Sequence, residues 1–213
     1  MDDVQFDSAL IQAAMAQAES LGWRRVSVVS AAREAGVPLD EARARFPRRT
    51  DILLRLGLLA DRAALVEDES AGTERERLFD SLMRRIDVMQ QYRGGVQAVL
   101  RSLPFDPLLA AMLGAATHGS MRWMAQAAGI ETDGLGGALR VQGVLGVWLQ
   151  TMRAWERDDS SDLSGTMAAL DKALDRAERV GRMLQRPLFD TPAGGPDASG
   201  PLPDLPGQPD PAI

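Results

Sequence analysis

No cysteine occurs among the 213 residues. That excludes disulfides, thiolate metal sites and a cysteine nucleophile. There is one histidine, His118, and one tyrosine, Tyr92, and aromatic residues make up 5% of the chain. A lone histidine with no carboxylate motif beside it gives no catalytic signal and is a poor start for a metal site. Patterns of the GxSxG, HExxH and P-loop kinds are also missing. No catalytic residue, metal ligand or cofactor is therefore expected. No apolar run is long enough to span a bilayer. No apolar segment follows a basic start, as a secretory signal would require. A soluble, cytoplasmic protein without stable membrane insertion is the expectation.

Hydrophobic residues reach 45%, enough for a globular core. The net charge of −6 argues against a protein that coats nucleic acid non-specifically. That charge is unevenly placed. Between Ser20 and Ala60 eight arginines (Arg24, Arg25, Arg33, Arg43, Arg45, Arg48, Arg49 and Arg55) face four acids (Glu34, Asp40, Glu41 and Asp51). A basic head on an acidic body suits a local DNA footprint; the plainer alternative is a solvated arginine-rich surface.

Strand-like alternation is absent, and the chain reads as all-α. A first helix fits Asp7 to Leu21, with Leu10, Ile11, Ala14, Met15 and Ala18 on one face and Gly22 as its stop. Ser27 is a good cap for a second helix, Val28 to Ala35. Gly36 ends it, and Pro38 suits the first turn of a third, to about Arg45. A long fourth helix opens near Thr50. Residues 1–66 form the expected head. A polar joint, Glu67 to Thr73, leads to a helical body at 74–186. Its helices fit near Glu74–Gln91, Gly94–Ser102, Pro107–Ala128, Leu135–Arg157 and Asp162–Gln185, the last capped from Ser160-Ser161-Asp162. Eight of the twelve prolines lie in residues 187–213, which predicts a disordered tail.

The segment Ser27 to Arg49 is the most informative. Two short helices joined at Gly36-Val37 and closed by Phe46-Pro47 outline a helix-turn-helix, which presents a helix to the major groove of DNA. Phe46 is expected to plug the head, and Trp23 to pack against the fourth helix. Arg43 and Arg45 could reach guanine O6 and N7, while Arg48 and Arg49 are better placed on phosphates. Asp40 and Glu41 suit the helix dipole at the start of the third helix, but would repel a phosphate there.

This head resembles the DNA-binding domain of the TetR family of transcriptional regulators. The match rests on the helix-one stripe, Gly22-Trp23, Val26-Ser27-Val28, Ala31-Ala32, Ala35-Gly36-Val37 and Phe46-Pro47-Arg48-Arg49 followed by Ile52-Leu53. The resemblance implies an all-α, TetR-like fold: a three-helix DNA-binding head, and a helical body that binds a ligand and pairs through its last two helices into a homodimer. It implies double-stranded DNA as partner, contacted by Arg25, Ser27, Arg43, Arg45, Arg48 and Arg49. It also implies a small apolar effector or lipid in the body. The candidate lining there is Met89, Tyr92, Met112, His118, Trp123 and Trp148, with methionines and small residues along Pro107 to Gly129. Tight core packing is the alternative for that stretch. A second resemblance is to the TetR-like lipid-binding accessory protein of ubiquinone biosynthesis, carried by Gly22-Trp23, Asp158-Asp159-Ser160 and Met167-Ala168-Ala169-Leu170-Asp171. It implies a lipid carrier without DNA contact. The adjacent Asp158 and Asp159 read as solvated charges flanking a helix.

Overall fold

A computed structural model describes residues 2–66 and 72–185, with side chains to 181. The expected joint at Glu67 to Thr73 falls largely outside the described residues, and the tail at 187–213 falls wholly outside them. Nine α-helices and no strand occur among the described residues. They are α1 (Asp3–Leu21), α2 (Val28–Glu34), α3 (Leu39–Arg45), α4 (Arg49–Ala64), α5 (Glu74–Gln90), α6 (Arg93–Ser102), α7 (Pro107–Ala127), α8 (Gly134–Arg157) and α9 (Ser164–Gln185).

Local chemistry explains the ends. Helix α1 starts at Asp3, four residues before the expected Asp7, because Asp2 caps it, accepting from Gln5 N at 2.7 Å while Gln5 Oε1 accepts from Asp2 N at 3.3 Å. Gly22 stops it at φ 84°, a left-handed value that glycine adopts freely. A 3-10 turn, Trp23–Arg25, leads to Ser27, whose Oγ accepts from Ser30 N at 3.0 Å and opens α2. Gly36 turns the chain at φ 65°. Pro38 precedes α3 as its N-cap rather than standing inside it. Its fixed φ still presets the entry.

The stripe Leu10, Ile11, Ala14, Met15 and Ala18 is buried, as are Trp23 and Phe46. Phe46 is 1% exposed and plugs the head, as the sequence predicts. Burying such a ring contributes about 1.5–3 kcal/mol. Head and body then share one continuous apolar core. The joint between α1 and α6 is close: a Cβ added to Gly95 would stand 2.6 Å from the Met15 carbonyl oxygen. Only glycine lets the two backbones approach so near.

The body's last corner is held by a carboxylate. Asp158 Oδ2 accepts from Thr166 Oγ1 at 2.7 Å and from Thr166 N at 2.6 Å, and Oδ1 accepts from Ser160 N at 3.1 Å. The hydrogen bonds from Ser160 and Thr166 hold this carboxyl well below the usual carboxylate range. Asp158 is thus a clamp on the start of α9, not a merely solvated charge; Asp159 beside it is exposed. The expected cap from 160–162 is realised only in part: Asp162 Oδ1 accepts from Ser164 N at 3.1 Å, and the helix begins at Ser164.

Candidate nucleic-acid interface and the ion pairs behind it

The arginines of the head divide by what they touch. Arg45, on the last turn of α3, folds back onto α1. Its Nη1 stands 2.7 Å from Asp3 Oδ1 and its Nε 3.1 Å from Asp7 Oδ1, with the guanidinium over the Phe6 ring at 5.1 Å. The Asp3 hydrogen bond raises its pKa further. Arg55 of α4 reaches the other Asp7 oxygen at 3.3 Å. Arg45 was a candidate for guanine; in the structure it staples α3 to α1 through a buried carboxylate. No local pattern marks this pairing, since Asp7 and Arg45 meet only when α1 and α3 come together.

Arg43 remains on the exposed side of α3, its Nη1 donating to the Pro47 carbonyl at 2.8 Å. It borders a depression of about 150 Å³ between α2 and α3, together with Val29 and Leu39. Leu39 is 43% exposed at the start of the helix, beside the equally exposed Asp40 and Glu41. Sequence reasoning passed over Leu39; its signal was an apolar residue outside the helix's inward positions.

The start of α4 carries Arg48 and Arg49. Asp51 Oδ2 accepts from Arg48 N at 2.7 Å, and the Arg48 side chain is exposed. Arg49 is half-buried over Trp23, 5.9 Å from the ring centroid. It donates to the Arg24 carbonyl at 3.0 Å and lies 3.8 Å from Asp106, a long ion pair to the residue that caps α7. Trp23 thus packs against α4, as expected. Arg25 is exposed and makes no ion pair among the described residues; Ser27 is occupied as the α2 cap.

Behind this edge, α4 is fastened to the body. Arg85 of α5 is 3% exposed and forms an ion pair with Asp61 of α4. Ser120 of α7 donates to Asp61 Oδ2 at 2.6 Å. The Arg85 guanidinium lies 5.1 Å from the Trp148 ring centroid on α8. Burial pushes Arg85 down to about 10, so it stays a cation at neutral pH. One polar knot therefore touches four helices. No sequence pattern marks it, because its members are 24 to 87 residues apart.

The candidate ligand lining divides by burial. Met89, Tyr92, Met112 and His118 are half-buried. Burial raises the Tyr92 hydroxyl pKa. Trp148 is buried beneath Arg85. Trp123 is 66% exposed. At about 100° per residue it falls off the inward face that Ser120, Met121, Met124 and Ala125 define, and a ligand enclosed in the body would not meet it. Exposed apolar residues instead run along the outside: Leu108 and Trp123 on α7, Leu135, Leu139 and Leu149 on α8, and Met167 and Val180 on α9.

With its capped helix-turn-helix and helical body, the chain shares the TetR-like fold of solved structures. A TetR transcriptional regulator from Nitrosomonas europaea superposes with a TM-score of 0.66 at 22% identity, over 84% of this chain and 99% of that one. A TetR transcriptional regulator from a Rhodococcus strain gives 0.52 at 18% identity, over 89% and 100%. No family model and no curated protein matches the sequence.

Proposed function

We propose that this protein is a ligand-responsive, DNA-binding transcriptional regulator of the TetR type, acting as a homodimer. The observation that carries the reading is the Ser27-capped helix-turn-helix with Arg43, Arg48 and Arg49 at its exposed rim. In this reading α3 enters the major groove. Arg43 takes guanine O6 and N7, and the exposed Leu39 meets a thymine methyl. Arg25, Arg48 and Arg49 hold phosphates on either side, and Ser27 presents the N-terminus of α2 to another. Arg45 serves the head's structure. Asp40 and Glu41 keep backbone phosphates away from the N-terminus of α3, since carboxylates there repel them.

The exposed apolar face of α8 and α9 supports pairing of two chains. A dimer would set two heads about one DNA turn apart. The effector is a small apolar molecule or lipid held among the half-buried side chains of α5 and α7. Its leverage on DNA would run through Asp61, because Ser120 and Arg85 tie α4 to those helices.

Selection of bound duplexes from a random library tests the reading. The expected result is enrichment of a two-fold-related sequence, bound by a dimer with salt-sensitive affinity. Failure to enrich any sequence rejects it.

A further inference from the structure

A second anion-seeking feature lies off the helix-turn-helix. An open groove of about 530 Å³ runs between the end of α1, the 3-10 turn and the end of α6. Its walls include Arg24 and Arg25 from the head and Arg101 from the body. All three are exposed, and none makes an ion pair among the described residues. Glu19 is the one carboxylate among the lining side chains. Trp23 also lines the groove; it is 1% exposed, and its indole N–H is buried without an acceptor among the described residues.

The groove continues into the rim described above. Arg49 lies over the same Trp23 ring and donates to the carbonyl of Arg24. Ser27, at the N-terminus of α2, follows two residues after Arg25. In a chain of net charge −6, three unpaired guanidiniums round one open channel call for a polyanion. An open channel also suits a strand that passes through better than a molecule that must be enclosed.

We infer that this groove receives the sugar-phosphate backbone of DNA flanking the sequence read by α3, with Arg101 carrying the phosphate contacts off the head and onto the body. The inference rests on the DNA-binding reading and extends its footprint. Arg24, Arg25 and Arg101 neutralise phosphates. The contact is blind to sequence.

The test uses the full chain and two duplexes: the selected site alone, and the same site extended by about one helical turn, ~10 base pairs, at each end. Arg101→Ala should weaken binding to the extended duplex several-fold and lower its log–log salt slope by about 0.9 per lost phosphate contact at each head. It should leave the short duplex unchanged, and Arg101→Lys should restore most of the loss. Arg49→Ala should weaken both duplexes alike. Equal affinity of Arg101→Ala and wild type for the extended duplex, with Arg49→Ala still impaired, overturns the inference and leaves the DNA-binding reading standing. Decanoate binding that Arg101→Ala abolishes, with no effect of duplex length, gives the groove to a small amphiphile and also overturns it. Wild type that binds neither duplex ends both.

Discussion

Asp61 of α4 and Arg85 of α5 form a buried ion pair at the boundary of head and body. Removing one partner strands the other charge away from water. Arg85→Ala should destabilise the fold by about 3–5 kcal/mol. The double variant Asp61→Asn with Arg85→Leu should lose much less, because no ion is left unpaired. Urea unfolding of the three proteins measures this. Equal losses in the single and double variants would show that Arg85 acts through packing on Trp148 instead.

Arg45 and Arg43 sit two residues apart on α3 and should behave oppositely. Arg45→Ala loosens α3 from Asp3 and Asp7, at a cost of about 1–3 kcal/mol in stability. Arg43→Ala should leave stability within about 0.5 kcal/mol, as surface changes usually do. It should relax preference at one base pair of the selected site, worth about 1–3 kcal/mol. Thermal unfolding and a base-by-base competition assay separate the two effects. A stability loss for Arg43→Ala as large as that for Arg45→Ala would undo the division of labour.

Two glycines should also part company. Gly95→Val drives a side chain into the backbone of Met15 and should cost about 1–3 kcal/mol through overpacking. Gly57, within α4, has open space where a Cβ would go. Gly57→Ala should gain up to about 1 kcal/mol from helix propensity. Denaturation midpoints of both variants are the check.

Asp158 sets a pH dependence. Its pKa in the folded protein lies below the ordinary 3.8. A depressed carboxylate stabilises fully above the unfolded value, and that contribution disappears as pH falls through the folded one. Asp158→Asn should therefore melt below wild type at neutral pH, and the gap should begin to narrow as the pH falls below the ordinary 3.8. A gap that stays constant across that range would assign the effect to shape rather than charge.

Much of the architecture was readable from residues alone. The stripe of α1, the Ser27 cap, Gly22, Gly36 and the proline breaks locate every described helix within a few residues, because each acts through local backbone physics. Phe46 was legible for the same reason: it closes a short, patterned unit. Partners distant in the chain were not. Asp7 and Arg45, and Asp61 and Arg85, meet only once the helices pack, Arg24 and Arg101 come to line one groove only then, and no spacing rule links them. Trp123 shows the limit from the other side. The methionines and small residues around it suggest a lining role, but its angular position on α7 turns it outward.

The glycine-mediated approach of α1 to α6 changes how any signal could reach the DNA. The head does not dangle from a hinge; it is keyed into the body at Gly95 like a gear on its shaft. On the proposed reading, a molecule bound between the body's helices would pull on α4 through Asp61, and α2 and α3 would follow as α1 and α6 turn with it. In the proposed dimer the useful motion is then a roll of the whole head, altering the pitch between the two heads while leaving each exposed surface intact.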